Sequence, residues 1–280
     1  MKLLNKESYS LAFEAIKNVE INTLFALAVI ELKVDGEIYV ENTDKPTTFL
    51  VKHPYGMSLL FGNEQNADFN DALLRYAFNA NNKRTKTEWL QAYPSVWNEK
   101  LAELFEQKTI REEDLNGNEQ HGKIELSTRV NFKFNIEKYQ NFKSNYNFEP
   151  YEIVRTNDQL FDEIEGTVVP KYFWKNTTDF NNNAVAFSLI YNDKPASTAF
   201  SAFVRNDKLE LGIESLSEFR GKAFAIHTCV ALIDYCIENG YEPIWACRLQ
   251  NVNSYKLAQK LGFEPTIYIT YYKLVVAKTL

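Results

Sequence analysis

The residues of this chain whose types and spacing point most directly to chemistry form a short basic turn at residues 218–225, with the sequence EFRGKAFA. Small residues at three positions let a bulky anion approach the backbone, and two cationic side chains add positive charge. The first amides of the helix that starts here have no intrahelical partners and lie at the positive end of its dipole. The pattern predicts a site that binds a phosphate group. Its residues are Arg220, Gly221, Lys222, Ala223, Phe224 and Ala225.

The apolar pattern defines the elements that hold this turn. Residues 208–215 alternate polar and apolar side chains, which is typical of a strand with one buried face. From 223 to 239 apolar residues recur at helical spacing, and Asn239-Gly240 supplies a stop signal. A second strand is predicted at 243–248, parallel to the first because a helix crosses between them.

Two strands are predicted earlier in the chain, at 184–191 and 196–204. They are expected to form an antiparallel meander with the strand at 208–215. A helix is predicted at 157–165, with Asn157 or Asp158 as its cap.

The end of the chain adds one helix and one strand. Asn251 is predicted to cap a helix that runs through Leu261, where Gly262 ends it. A closing strand follows at 267–274.

The turn and the last helix together resemble the acetyl-coenzyme A signature of the GNAT acetyltransferase superfamily. That signature reads Arg/Gln-x-x-Gly-x-Gly/Ala, and Arg220, Ala223 and Ala225 stand at its three defined positions. The last helix, Asn251-x-x-Ser254-x-x-Leu257 and then Leu261-Gly262-Phe263, is similar to the later helix of the superfamily and its Leu-Gly-Phe closure. The resemblance covers roughly residues 150–280. It implies the GNAT fold, an α/β (α+β) class with a mixed twisted sheet and helices on both faces.

Four shorter motifs resemble a bacterial GNAT group that includes the zwittermicin-resistance acetyltransferases. They are Pro170-x-x-Phe173-Trp174, Leu211-Gly212-Ile213-Glu214, Asp234-Tyr235-Cys236 and the LAQKLGF sequence of residues 257–263. The group implies an N-acetyltransferase that moves an acetyl group from acetyl-CoA to a primary amine of a small molecule. An amine of a protein is the second acceptor to consider. A GNAT-derived sensor or scaffold that binds acyl-CoA without catalysis is the alternative of another class.

The resemblance also implies where coenzyme A lies. Strand 208–215 splays from strand 243–248 in this fold, and the backbone around Ile213, Glu214 and Ser215 aligns the pantetheine arm and polarises the thioester carbonyl. Asn251 and Ser254 complete the expected cofactor contacts.

Two carboxylates on strand 208–215 are the candidate bases. Glu210 and Glu214 share one face of the strand, since side chains alternate. Four residues span about 13 Å of strand, so the two cannot act as a close pair. We expect Glu214, nearest the splay, to be the general base, directly or through a water, with Glu210 as the second candidate. The structural alternative for Glu214 is a solvated carboxylate or a pair with Arg220.

Two residues depart from the superfamily pattern. Ala258 stands where the general-acid tyrosine is usual, so Tyr255, our first choice, or Tyr271, Tyr272 or water must protonate the thiolate if the domain is catalytic. Ala223 stands where glycine is usual, and a left-handed conformation there would be costly for alanine.

The first half of the chain has a similar succession of predicted elements, and we divide the chain into an N-terminal α/β lobe at 1–145 and a GNAT domain at 146–280. Its residues 61–64 lack the small basic pattern of the phosphate turn. The lobe is either a degenerate GNAT-like copy that serves as substrate wall or scaffold, or a chance parallel. The predicted elements are helices at 8–17, 68–79 and 95–106 and strands at 24–33, 37–42, 47–53, 57–62, 88–92 and 123–134.

The composition argues against several other functions. A net charge of -6 and a pI of about 5.3 leave no basic surface for nucleic acid, and the KRTK sequence at 83–86 is expected to be a solvated loop. No apolar stretch is long enough for a membrane span, so we expect a cytoplasmic protein without a membrane partner. Cys229, Cys236 and Cys247 lack zinc-ligand spacing and are expected to be buried thiols, with no metal. The sequence allows a homodimer.

Overall fold

The computed structural model describes residues 1–82, 84–115 and 122–276. Two compact units divide them. Unit 1 comprises the described residues of 1–129 with 248–250 and 268–276, and unit 2 comprises 130–247 and 251–267. Each unit has its own hydrophobic core.

The helices and strands are numbered in chain order. The helices are α1 (Leu11–Ile16), α2 (Leu24–Ile30), α3 (Ala67–Ala77), α4 (Val96–Phe105), α5 (Ile136–Asn145), α6 (Asp158–Glu163), α7 (Thr177–Asn183), α8 (Phe224–Glu238) and α9 (Val252–Lys260). The strands are β1 (Lys2–Leu3), β2 (Glu37–Val40), β3 (Thr48–Lys52), β4 (Met57–Gly62), β5 (Glu88–Tyr93), β6 (Thr109–Arg111), β7 (Ile124–Phe134), β8 (Glu152–Arg155), β9 (Ala186–Tyr191), β10 (Lys194–Arg205), β11 (Lys208–Ser215), β12 (Glu242–Ile244), β13 (Ala246–Arg248) and β14 (Phe263–Leu274).

Unit 1 is built on a sheet with the strand order β1-β2-β3-β4-β5-β14-β7, and β6 pairs with β7. Strands β4 and β5 are parallel and pair from Met57 with Trp89 to Phe61 with Tyr93. They do not splay over these five pairs. A cleft of the kind expected in unit 2 is therefore not formed between them.

The prediction of a strand at residues 24–33 is wrong, because Leu24–Ile30 forms helix α2. All seven residues of this helix are buried. A short run that is apolar throughout has neither a helical nor an alternating pattern, so periodicity cannot distinguish the two structures. Its leucines and alanines favour the helix.

The prediction that residues 83–86 form a solvated loop is wrong for Arg84, which is only 3% exposed. Residue 83 lies outside the described residues. The Arg84 guanidinium donates to the carbonyl oxygens of Ala77 at 2.8 Å and Leu274 at 2.7 Å. Because the last carbonyls of a helix have no intrahelical partners, Arg84 closes the end of α3 and joins it to the end of β14.

Unit 2 has a five-stranded sheet with the order β12-β11-β10-β9-β8. The strands from β8 to β11 are antiparallel, and β12 is parallel to β11. Asn192 and Asp193 have positive φ angles of 52° and 59°, as the tight turn between β9 and β10 requires. The predicted meander is confirmed. The strand predicted at 243–248 is parallel to β11 only in its first part, β12, because residues 246–248 form the separate strand β13.

The sequence pattern does not predict α5 or β8. Helix α5 matters for the closure of the last helix, because Asn135 N donates to Gly262 O at 2.9 Å. Gly262 has a φ of +86°, and a Cβ on it would lie 2.7 Å from Tyr139 N. Only glycine meets both conditions, which explains the Leu-Gly-Phe sequence at this point.

The two units share an order of elements. The first half of the chain runs β4-α3-β5-α4-β6-β7, and the second half runs β11-α8-β12-β13-α9-β14. Within the described ranges, no helix combines the length and apolar character that crossing a bilayer requires.

Candidate functional site

Strands β11 and β12 pair only over three residues and then diverge. The pairs run from Lys208 with Glu242 to Glu210 with Ile244. The next residue, Trp245, accepts from Phe132 N at 3.1 Å through its carbonyl oxygen, so the chain turns away from β11. The far end of β11 therefore has a backbone edge that β12 does not cover. The three backbone positions predicted to contact the cofactor, Ile213, Glu214 and Ser215, lie on this part of β11.

The basic turn connects this end of β11 to α8. Gly221 has a φ of +84°, and a Cβ on it would meet no atom within 4 Å. Ala223 is the N-cap of α8 and is left-handed, with a φ of 61° and a ψ of 12°. This is the costly conformation that we considered for alanine, and it explains why glycine is usual there.

The start of α8, like those of α1, α2 and α4, has no side-chain cap hydrogen bond, whereas five other helix starts have one. Asparagine side chains cap α3, α5, α6, α7 and α9 by accepting a backbone hydrogen bond. Ala223 has no side-chain oxygen, and α8 has no side-chain cap hydrogen bond. The first amides of a 15-residue helix are thus available to an anion.

The two cationic side chains of the turn are held by neighbours. Arg220 donates through Nε to Ser215 O and through Nη2 to Glu214 Oε1, each at 3.2 Å. The Lys222 Nζ lies 4.9 Å from the centre of the Tyr191 ring. Both side chains remain largely accessible at the surface of the turn and raise its positive potential.

Glu214 is buried, and both of its carboxylate oxygens are engaged. Oε2 accepts from Thr167 N at 2.7 Å, Thr167 Oγ1 at 3.1 Å and Val168 N at 2.9 Å. Oε1 accepts from Arg220 Nη2 and, at 3.2 Å, from the Ser215 amide. A carboxylate offers about four acceptor positions, so these five donors leave little capacity to receive a proton from a substrate. The pairing with Arg220, the structural alternative for Glu214, is the arrangement observed.

Glu210, the second carboxylate on β11, is 5% exposed. Gly212 separates it from Glu214 on the same face and packs on Phe200, since a Cβ on Gly212 would lie 2.6 Å from Cε1 of that ring. Phe200 in turn contacts Phe173, with ring centres 5.4 Å apart. The Pro170-x-x-Phe173-Trp174 motif and the glycine of the strand motif are therefore parts of one packing arrangement.

A chain of buried hydroxyls, which sequence reasoning did not find, ties the turn to the sheet. The Ser197 Oγ lies 2.8 Å from the Ser215 Oγ and 3.3 Å from the Thr228 Oγ1. It joins β10, β11 and α8. In the sequence, this chain of hydroxyls is indicated only by serine and threonine residues at positions of a strand that face the core.

The residues predicted on α9 have structural contacts. The Asn251 side chain accepts from Ser254 N at 3.3 Å, which confirms it as the cap of α9. Ser254 Oγ lies 3.3 Å from Trp245 Nε1. Tyr255 is half-buried with its ring against Phe132.

Ala258, at the position of the usual general acid, is 0% exposed and belongs to the unit 2 core. The alternative tyrosines lie in unit 1. Tyr272 donates to Asn98 Oδ1 at 3.0 Å, and burial raises the pKa of its hydroxyl. Tyr271 stacks on Trp89 with ring centres 4.9 Å apart. Tyr255 is the one of these three tyrosines that lies in unit 2.

The other reactive residue types near α8 are packed. Burial lowers the pKa of His227, whose ring lies edge-on to Phe148 and Tyr151. Cys229, Cys236 and Cys247 are buried free thiols, and burial raises the pKa of Cys236 to about 12. Among the described residues, no group of three His, Cys, Asp or Glu side chains is placed to hold a metal ion.

Comparison with known proteins covers most of the chain. A family model described as GNAT acetyltransferase matches residues 14–272. A protein of Bacillus subtilis (strain 168), named as an uncharacterized N-acetyltransferase, YdfB, is 24% identical over 273 residues, which are 96% of this chain and 97% of that protein.

Solved structures with a similar fold also extend over nearly the whole chain. A GCN5-related N-acetyltransferase-like protein from Streptococcus suis 89/1591 has a TM-score of 0.68 and 16% identity, and the match covers 95% of this chain and 98% of that one. A tandem GNAT protein from the clavulanic acid biosynthesis pathway has a TM-score of 0.61 and 10% identity, with 99% of each chain covered. The second comparison shows that the repeated order of elements has a counterpart in a tandem arrangement.

Proposed function

Because this chain belongs to the GNAT acetyltransferase family, we propose that it transfers the acetyl group of acetyl-CoA to a primary amine of a small molecule. The observation that carries this proposal is the start of α8. A helix without a side-chain cap, a left-handed N-cap at Ala223 and an open position at Gly221 together form a cradle for a pyrophosphate.

The residues present fit this donor. Backbone amides from Gly221 to Ala225 would hold the pyrophosphate, with Arg220 and Lys222 adding charge. The uncovered edge of β11 at Ile213, Glu214 and Ser215 would hold the pantetheine arm by backbone pairing. Asn251 and Ser254 stay proposed contacts at the start of α9. When bound, acetyl-CoA supplies a thioester carbonyl for attack by the amine.

Proton transfer is assigned to one residue of β11 and one residue of α9. Glu210 is the proposed base for the amine, directly or through water, and Tyr255 is the proposed acid for the thiolate. Since both oxygens of Glu214 are already occupied, its proposed role changes from base to positioning residue: it holds the Thr167 segment against the phosphate turn. Free thiols have a pKa near 8.5, so the thiolate leaves readily even with a weak acid.

The proposed small-molecule acceptor rests on the four short motifs shared with the bacterial group that includes the zwittermicin-resistance acetyltransferases. Two of them lie in the packing arrangement around Phe173, Phe200 and Gly212. A protein amine and a role as a non-catalytic acyl-CoA sensor are the competing outcomes. Burial of Ala258 where a tyrosine acid is usual is the observation that favours the sensor.

Two measurements test the proposal. Calorimetry should show acetyl-CoA binding that Ala223→Glu abolishes, because bulk and negative charge would lie against the pyrophosphate. Asn239→Glu is the matched control, since it adds the same charge at the other end of α8, about 24 Å away. Thiol release should then depend on a small amine from a panel of polyamines and aminopolyols. Binding without amine-dependent release would support the sensor, and release only with peptide amines would support a protein acceptor.

A further inference from the structure

Trp245 joins the point where β12 diverges from β11 to the first turn of α9. Its indole Nε1 donates to Ser254 Oγ at 3.3 Å. Its carbonyl oxygen accepts from Phe132 N at 3.1 Å, the hydrogen bond that accompanies the divergence of the two strands. All three residues belong to unit 2. One residue therefore fixes both the divergence and the side chain of a serine on α9.

The indole ring of Trp245 has little freedom to move. Trp245 is 2% exposed and belongs to the unit 2 core. Its ring packs on that of Phe263 at the start of β14, with ring centres 5.4 Å apart and an interplanar angle of 50°. Because the packing fixes the ring, it also fixes the direction in which the N–H group donates.

Ser254 is placed to offer its side chain to a ligand. It lies in the first turn of α9 and is only half-buried. This end of a helix carries the positive end of the dipole, where electron-rich acceptors bind favourably. The backbone amide of Ser254 already donates to the Asn251 side chain, so the hydroxyl is the group that remains for a ligand.

The chemistry of the two side chains decides where the Ser254 proton goes. An indole nitrogen can only donate, whereas a hydroxyl has one proton and two lone pairs. Ser254 Oγ therefore accepts from Trp245 and keeps its own proton for another acceptor. A serine in a helix can donate to a carbonyl three or four residues earlier. Within the described residues, however, the bond from Trp245 is the one hydrogen bond of Ser254 Oγ.

We propose that Trp245 is a positioning residue for acetyl-CoA: its indole N–H holds the Ser254 hydroxyl so that the hydroxyl proton is donated to an oxygen of the cofactor. The inference rests on the proposed function, in which Ser254 contacts the cofactor. The oxygen belongs to a phosphate or to a pantetheine carbonyl, both of which are acceptors without a proton of their own. Trp245 acts through Ser254 and is not a catalytic residue.

A double-mutant cycle tests this role, with the full-length protein and with acetyl-CoA binding measured by calorimetry. Ser254→Ala should weaken binding about tenfold, because it removes the donor. Trp245→Phe should weaken binding about fivefold, because the hydroxyl remains but loses its fixed direction. The double variant should bind about as weakly as Ser254→Ala alone, since Trp245 then has no hydroxyl to position.

Three further variants separate positioning from a general loss of stability. Ser254→Thr keeps the hydroxyl and should bind acetyl-CoA like the wild type. Trp97→Phe also removes a buried indole donor, which bonds Gly62 O at 3.0 Å in unit 1, and it should leave the affinity unchanged. Benzothienylalanine in place of Trp245 keeps the ring shape and has sulfur instead of the N–H group. It should reproduce the loss seen with Trp245→Phe, and it tests the role even if the phenylalanine variant does not fold.

S-acetylpantetheine, which lacks the pyrophosphate, identifies the acceptor oxygen. If Ser254→Ala weakens binding of this shorter thioester as well, the acceptor is a pantetheine carbonyl. A loss confined to acetyl-CoA assigns a phosphate oxygen.

The results that would overturn the inference differ from those that would overturn the proposed function. Wild-type binding with unchanged affinity in Trp245→Phe, or two single losses that multiply in the double variant, would reject the role of Trp245 and leave the proposed function intact. Failure of the wild-type protein to bind acetyl-CoA would reject the proposed function itself.

Discussion

Gly166 leaves the space that the Glu214 carboxylate occupies: a Cβ on Gly166 would lie 2.6 Å from Glu214 Oε2. The same oxygen accepts the amides of Thr167 and Val168. Gly166 and Glu214, 48 residues later, therefore form one contact, which we call the clamp. The other carboxylate oxygen of Glu214 accepts from Arg220 in the basic turn.

Gly166→Ala should break this clamp. Its φ of +144° is nearly restricted to glycine, with a cost of about 1–3 kcal/mol for other residues. The added methyl would also displace a buried carboxylate from its donors. Urea unfolding should show that Gly166→Ala lowers the free energy of unfolding by about 1 kcal/mol more than Gly240→Ala does. Gly240 also has a positive φ, of +74°, but open space around it, so Gly240→Ala measures the cost of a left-handed alanine without a steric clash. Equal losses in the two variants would contradict the clamp.

Ala223→Gly should stabilise the protein. Alanine in the left-handed region costs about 1–2 kcal/mol, and greater freedom of glycine in the unfolded chain offsets part of this gain. We expect a net increase of about 0.5–1 kcal/mol in the free energy of unfolding. Ala225→Gly, two residues into the same turn, should have the opposite sign because glycine weakens a regular helix. Destabilisation by both changes would show that Ala223 is not strained.

Glu210→Gln should lower kcat/KM about 100-fold if the carboxylate accepts the proton of the amine. The dissociation constant of acetyl-CoA should not change, because the phosphate turn is untouched. Glu242→Gln, an exposed carboxylate on the neighbouring strand β12, is the control. The decisive readout is the acidic limb of the pH–rate profile, which the variant should lose. A profile of unchanged shape would assign the base elsewhere.

His53 should make unit 1 sensitive to acid. Burial lowers the pKa of its imidazole from 6.5 to about 3, and Nδ1 accepts from Tyr55 N at 3.0 Å. Below pH 6.5 the unfolded chain binds a proton that the folded chain refuses until about pH 3. The contribution of His53 to the free energy of unfolding is therefore fully present above pH 6.5. It falls by about 1.4 kcal/mol for each pH unit between pH 6.5 and about pH 3.

His53→Asn provides the comparison, since an asparagine oxygen can accept the Tyr55 amide without titrating. Urea unfolding at several values between pH 6.5 and 4.5 should give a shallower slope for the variant. Parallel slopes for the two proteins would rule out His53 as the source of the acid sensitivity.

The sequence predicts the elements on either side of the basic turn well because their signals are local. Small residues, two cations and a helix start all lie within residues 218–225, and β11 and α8 were both located within one residue of their observed bounds. The splay was expected only through family resemblance, since it depends on Trp245 pairing with Phe132, more than one hundred residues earlier in the chain.

Long-range contacts explain the rest. The role of Glu214 depends on donors at Thr167 and Val168, 47 and 46 residues away, which no local pattern reveals. Arg84 resembles a loop cation by its neighbours, yet it bonds a carbonyl 190 residues later. The sequence pattern of α2 cannot distinguish a helix from a strand, because all of its residues are apolar and buried.

The uncovered edge of β11 has a consequence for solubility. A strand edge with free amides and carbonyls is a template on which another chain can add, and within the described residues β12 pairs with β11 only from Lys208 to Glu210. Any molecule that lies along the remaining edge acts as a substitute strand and blocks self-association. Under the proposed function, coenzyme A would occupy this edge, and its cellular supply would help to prevent self-association of the protein.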